Sequence, residues 1–518
     1  MSPSGVRACD TALLPISTGP DTMSSIWESL YIVFSLNGLI LATVGFLIGC
    51  IGGAMVGIGG ALTTALVIPF TLSMTPASAM IVLIGIYSGV SYAGSIPSIL
   101  INTPGAPSSA AVALDGYAMA KRGEATTAIA ISATASAIGA LVGGLCLIVA
   151  LPFLQYLALA FGSPEFLMFG LFGLASIVAA SDAGYLKGFT AGILGALLAT
   201  IGASLLDANP RFTFGIAELI DGVDLVAVMI GLFAFSEMVR LSRNPNSIAK
   251  SIAGLGSMWR GIIWALKEWK AILRGCGMGI VVGFVPGEGG TVATFMSYIT
   301  EKQLSKEPER FGKGHPAGIA GPEAANNSVI GGALVPTLSF GIPGSVSTAL
   351  LLTALMLHGI RPGPTLFTND VVILYTIIGS ILLGAVLTMV VGLTMSRPLA
   401  LLTVIPIPVL VPVVCVISVI GIYAASFNYS HIYVALAAGV LGYAFTRLRY
   451  PVVAFLLGFI VGPLAEENFM RTWQLTQGNM WEILARPICA ILFLLTAIVL
   501  LRPLWKLLIG RLARQASA

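Results

Sequence analysis

Apolar runs long enough to cross a bilayer recur from one end of the chain to the other, separated by short polar joints. A spanning helix needs about 20 apolar residues. Runs of that kind read over Leu30 to Ile51, Met80 to Ile101, Ala125 to Leu151, Val371 to Met395 and Val404 to Ala425. Shorter or less regular ones lie over Phe166 to Ala180, Gly188 to Leu206, Val223 to Phe235, Gly275 to Thr300, Ile432 to Phe445, Val452 to Val461 and Ile488 to Leu501. The pattern predicts an all-α polytopic integral membrane protein with about a dozen transmembrane helices. The acids at the joints, Glu165, Asp182, Asp207, Asp221 and Asp224, read as a solvated rim.

Interruptions inside the apolar runs are more informative than the runs. From Ala320 to Pro364 the chain is mostly apolar, yet Asn326-Asn327, Pro336, Gly341-Ile342-Pro343-Gly344, Ser345, Ser347 and Thr348 break it. Each break frees backbone N–H and C=O groups that lipid cannot satisfy, so it survives only where protein, water or a ligand supplies partners. Asn102-Thr103-Pro104-Gly105, followed by Pro107 and Ser108, is a second break with apolar flanks. A third is Pro286-Gly287-Glu288-Gly289-Gly290, near the middle of a run with basic residues at both ends, which favours a re-entrant hairpin. The stretch Gly49 to Phe70 is dense in glycine, and close helix packing and a broken helix both remain open there.

Set side by side, the two halves match in order. Val56-Gly57-Ile58-Gly59-Gly60 answers Pro286-Gly287-Glu288-Gly289-Gly290, and Gly94-Ser95 answers Gly332-Ala333. Asn102 to Gly105 answers Gly341 to Gly344, and Leu114-Asp115-Gly116-Tyr117 answers Leu357-His358-Gly359-Ile360. Paired breaks of this kind are the best sequence pointer to a transporter site, usually in an inverted repeat. The expected organisation is a polar leader over 1–28, a first half over 29–243, a basic interfacial connector over 244–270, a second half over 271–503 and a basic tail over 504–518.

Orphan N–H groups at a helix break attract carboxylate, and orphan C=O groups attract a cation. The candidate substrate ligands are therefore Asn102, Thr103, Pro104, Gly105, Ser108, Asn326, Asn327, Gly341, Pro343, Gly344 and Ser345. The candidate cation-coupling residues are Gly57, Gly59, Gly60, Pro286, Gly287, Glu288, Gly289, Thr291 and Glu323. For Ser347 and Thr348, bonds to their own helix are an equally good reading. Asp115 could bind a cation or relay a proton, but a surface acid is the slightly better reading.

Composition narrows the function classes. Of 518 residues 57% are hydrophobic and 9% charged, which leaves almost nothing for a soluble catalytic domain, and the net charge of +4 is too small to suggest nucleic acid. Lys and Arg cluster between Arg240 and Arg274 and again from Arg502 to Arg514, so both segments are expected in the cytoplasm. The six cysteines lack CxxC spacing, and the three histidines are scattered, so neither a disulfide framework nor a metal site is expected. No nucleotide-binding loop or nucleophile elbow occurs, so the chain does not read as an enzyme and no cofactor is expected beyond a coupling Na⁺ or H⁺.

Two long motifs carry a family resemblance: YAGSIPSILINTPGAPSSAAVALDGYAMAKRGEA from Tyr92, and the run from Phe311 that contains GPEAANNSVIGGALVPTLSFGIPGSVSTALLLTALMLHGIRPGP. With them, from about Gly45 to Pro503, the chain resembles the large permease subunit of the tripartite tricarboxylate transporters, a bacterial inner-membrane family. The resemblance implies ion-driven uptake of a small di- or tricarboxylate, a small membrane subunit as partner and a periplasmic binding protein that delivers substrate. A passive channel or membrane scaffold is the alternative. The sequence departs from the family pattern at Val56, where a Pro-Gly pair is expected, and at Glu288, where a small or apolar residue is usual.

Overall fold

The computed structural model describes residues 20–55, 57–179, 184–204, 209–243, 256–285, 289–395, 398–399, 401 and 407–516. The chain is a multi-pass helical membrane protein; the described strands are the two-residue pair Gly202–Ala203 and Pro210–Arg211. Among the described residues eight helices are long and apolar enough to cross a membrane, and four shorter apolar helices accompany them. The glycine and proline breaks account for this division, because they cut apolar runs into part-helices.

The first such group is α1 (Pro20–Phe34), α2 (Leu36–Ala54) and α3 (Gly59–Thr71), then α4 (Pro76–Ala93), α5 (Ser95–Ile101), α6 (Ala110–Lys121) and α7 (Ala125–Ala160). After α8 (Ser163–Ala179) and α9 (Tyr185–Leu198), α10 (Leu225–Ile230) widens into a π-helical turn over Gly231–Phe235 before α11 (Ser236–Arg243). A similar order then returns: α12 (Met258–Lys267), α13 (Trp269–Gly283), α14 (Gly289–Leu304), α15 (Ala317–Phe340) and α16 (Val346–Leu357). α17 (Pro364–Thr368), α18 (Val371–Thr394) and, among the described residues, four further long helices follow.

The dense glycines serve both purposes that the sequence left open. On α2 and α4 they let backbones touch: a Cβ on Gly49 would stand 2.2 Å from Ile86 O, and one on Gly89 2.2 Å from Phe46 O. The crossing of α13 with α15 has the same construction, with Gly275 against Gly321 O and Gly279 against Ala325 O, both at 2.3 Å. Just beyond α2, Gly57 and Gly59 instead take φ of +95° and +63°, turning the chain sharply into α3.

All 24 residues of α15 are buried, against α7, α13 and α14 among others. Its surface is protein rather than lipid, which is why Ala, Gly, Ser and Asn are interspersed among its apolar residues.

The two break loops are seated in the same way. Gly105 packs where a Cβ would meet Gly53 O at 2.2 Å and Gly94 Cα at 3.0 Å; Gly344 packs where it would meet Gly283 O and Ala333 Cα, each at 2.9 Å. The first loop thus wedges between the end of α2 and the α4–α5 junction, the second between the end of α13 and α15. Gly105→Ala should cost about 1–3 kcal/mol by overpacking, seen as a lower midpoint of thermal unfolding in detergent. Gly277→Ala, with nothing within 4 Å of its Cβ position, should be neutral or slightly stabilising. Equal midpoints for the two variants would contradict the wedge.

Candidate functional site

Both helix ends at the paired breaks adopt a left-handed cap. α5 ends on Asn102 at φ 55°, and α15 ends on Gly341 at φ 68°. Asn is the non-glycine residue that best tolerates this conformation, so Asn102 terminates a helix with its backbone; its side chain is exposed and stays outside the cavity described next.

Beyond the caps lies a cavity of ≈ 670 Å³ on which four helix starts converge. Gly59 and Gly60 open α3, Gly290 and Thr291 lie in the first turn of α14, and Ser345, Val346 and Ser347 open α16. Pro107 and Ser108, in the 3₁₀ turn that leads into α6, supply the fourth. The starts pair crosswise along the chain: a Cβ on Gly60 would lie 3.7 Å from Ser347 Oγ, and one on Gly290 3.3 Å from Ser108 Cβ. Each helix start carries orphan N–H groups and the positive end of the helix dipole. The arrangement favours a bound anion.

Side chains tie these elements together. Asn326 on α15 donates from Nδ2 to Ser91 O on α4 at 2.8 Å and faces the cavity. Tyr87 Oη lies 3.4 Å from Ser345 Oγ. Ser345 also caps α16 reciprocally with Thr348: Ser345 N donates to Thr348 Oγ1 at 2.8 Å and Thr348 N to Ser345 Oγ at 3.2 Å. Thr348 is therefore a capping residue, while Ser347 lines the cavity.

Of the candidate substrate ligands, Thr103, Pro104, Gly105, Ser108, Asn326 and Ser345 line this cavity. Pro343 and Gly344 are buried outside its lining, shaping the loop, and Gly341 acts as the cap described above. Asn327 faces another way, its Nδ2 donating to Glu323 O at 3.1 Å. Of the candidate cation-coupling residues, Gly57, Gly59, Gly60 and Thr291 line the same cavity. Gly289 is buried at the first position of α14, and Pro286, Gly287 and Glu288 lie outside the described residues. Glu323 is fully buried one turn before Asn327 and accepts a hydrogen bond from Ser136 Oγ of α7 at 2.8 Å.

Asp115 is not a surface acid. It is fully buried, and its Oδ1 accepts from the backbone N–H of Gly312 at 2.9 Å and of Gly314 and His315 at 2.7 Å each. Its Oδ2 accepts from Tyr298 Oη at 2.9 Å. Asp115 thereby clasps α6 to the loop between α14 and α15. The residue that answers it in the second half, His358, sits with Nε2 3.0 Å from Thr71 O at the end of α3.

The residues that the sequence reading missed are Glu237 and Arg240 on α11, both in the cavity lining. They pair with each other, Arg240 Nε donating to Glu237 Oε2 at 2.8 Å with a second bond from the guanidinium to Oε1. The π-helical turn just before them also contributes Leu232 and Phe233 to the wall. Such turns occur often at functional sites. In the sequence, an acid and a base three apart at the end of an apolar run look like any interfacial pair, so no signal separated them from the basic connector.

Residues 39–457 match the Tripartite tricarboxylate transporter TctA family. A protein of Agrobacterium vitis described as an uncharacterised 52.8 kDa protein in the TAR-I ttuC' 3' region is 35% identical over 447 residues, covering 86% of this chain and 89% of the relative. A second, described as an uncharacterised protein in the TAR-II ttuC' 3' region of the same organism, is 35% identical over 212 residues, 41% of this chain and 88% of the relative. No solved structure matches the chain.

Proposed function

The chain belongs to the tripartite tricarboxylate transporter TctA family, and from that premise we propose that it is the permease of a secondary active importer for a small di- or tricarboxylate. Transport is driven by Na⁺ or H⁺. A periplasmic binding protein delivers the substrate, a small membrane subunit completes the complex, and the chain lies in the bacterial inner membrane with its basic segments in the cytoplasm. The two halves, 29–243 and 271–503, arise by duplication and form the walls of one site.

The observation that carries this reading is the convergence of four helix starts and one guanidinium on a single cavity. Each helix start contributes about 0.3–1 kcal/mol toward an anion, so their sum suits a ligand with more than one carboxylate. Thr103, Ser108, Asn326 and Ser345 supply the neutral hydrogen-bonding groups that fix its orientation. Binding with neutral donors and helix ends, rather than with several fixed cations, permits release when the elements part.

The decisive experiment is uptake of radiolabelled carboxylates into proteoliposomes holding the complete tripartite complex. Uptake should saturate, require the binding protein and stop when Na⁺ and H⁺ gradients are collapsed. Flux that persists without gradients and does not saturate would identify a passive channel instead.

A further inference from the structure

Behind the substrate cavity, the contact of α5, α7 and α15 holds a cluster of buried oxygens of which several are left without a partner. Glu323 Oε2 accepts from Ser136 Oγ at 2.8 Å, but Glu323 Oε1 is buried without a partner. Asn327 Oδ1 and Ser95 Oγ are likewise buried and unpartnered. Ser95 and Ser132 both approach the Glu323 carboxyl. Glu323, Asn327, Ser95 and Ser136 are all fully buried, and Ser132 is 1% exposed.

Orphaned buried acceptors are costly, and an ion or ordered water is the usual resolution. Here the unpartnered Oε1 and Oδ1 are both acceptors; the Ser95 hydroxyl can donate to one of them, whereas a positively charged occupant answers both at once. An all-oxygen set of one carboxyl, one amide and hydroxyls suits a hard monovalent cation.

We propose that Glu323, Asn327, Ser95, Ser132 and Ser136 form a binding site for a small monovalent cation such as Na⁺, separate from the glycine breaks. The proposal rests on the reading of the chain as an ion-coupled transporter, and the geometry supplies a coupling route. Ser91 and Asn326 meet at the substrate cavity, with Asn326 donating to Ser91 O at 2.8 Å. Ser95 lies four residues beyond Ser91, and Glu323 three residues before Asn326. The same two segments of chain thus carry both sites, about one helical turn apart. A cation drawing Ser95 and Glu323 together sets the spacing of α15 against the segment that bears Ser91, and so the shape of the substrate cavity.

The test is binding without transport. Purified full-length protein in nanodiscs, free of carboxylate, is melted in NaCl, KCl or choline chloride at constant ionic strength and pH. Na⁺ should raise the unfolding midpoint saturably, and choline should not. Ser136→Ala should raise the half-saturating Na⁺ concentration roughly tenfold, the equivalent of about 1.4 kcal/mol. Glu323→Gln should fold, because its amide supplies a donor where one is missing, and should lose the Na⁺ response. A wild type indifferent to Na⁺, or a Glu323→Gln protein that still responds, overturns the site; so does a wild type whose midpoint follows pH alone, which assigns the carboxyl a proton. If Na⁺ binds as described but proteoliposome uptake ignores the gradients, the transport reading falls and the site stands.

Discussion

Arg240→Gln should raise the KM for carboxylate uptake roughly tenfold while leaving the protein folded. A hydrogen bond to a charged group contributes about 1.5–3 kcal/mol, and 1.4 kcal/mol is about a factor of ten. The lower part of that range is the better guide, since the Arg240 side chain is 51% exposed and solvent screens it. Among the described residues Arg240 is the basic side chain in the cavity lining, so no neighbour replaces it. Glu237 makes the prediction two-sided. It holds the guanidinium, and a substrate carboxylate must displace it. Glu237→Gln should therefore lower KM, opposite in sign to Arg240→Gln. Equal losses in both variants would mean that the pair is a structural brace with no role in recognition.

Asp115→Ala should have the larger effect on the fold. It strips partners from three backbone N–H groups and one phenol at once. Each buried group left unsatisfied costs about 1–3 kcal/mol, so even with water admitted to some of them the loss exceeds about 3 kcal/mol. That is a large share of the stability of most folded proteins. The expected result is a protein that fails to give a single symmetric peak in detergent gel filtration, or one melting at least about 3 °C lower, since the shift is the stability loss divided by an unfolding entropy that grows with chain length. Asp115→Asn keeps one acceptor oxygen and should fall between. An alanine variant with wild-type melting would show that the loop between α14 and α15 is held elsewhere, for instance by Arg122 Nη2 bonding to Gly314 O at 3.3 Å.

Membrane class and the breaks were legible in the residues, because Gly, Pro and Asn seldom stand inside an apolar run unless a helix stops or packs closely there. The structure adds what a one-dimensional pattern does not carry. Asn326 and Asn327 are adjacent in sequence, yet about 100° of helical rotation sends one to the cavity and the other to the Glu323 group. Asn102 looks like a ligand because it is an amide at a break, whereas its left-handed backbone makes it a helix stop. Asp115 was misread for a different reason. Its partners are mostly backbone amides roughly two hundred residues away, and amides leave no mark on composition.

The crosswise pairing of helix starts has a consequence for the energetics of the cycle. Two of the four, at α3 and α6, come from before residue 125, and two, at α14 and α16, from after residue 288. On the proposed function no single segment would hold the anion, and the attraction that it feels would measure how nearly the four are assembled. Because a helix terminus acts only over about its last turn, parting one pair removes that pair's share at once. Affinity in a site of that kind is a property of closure, and a bound anion would itself work as the clasp that keeps the four starts together.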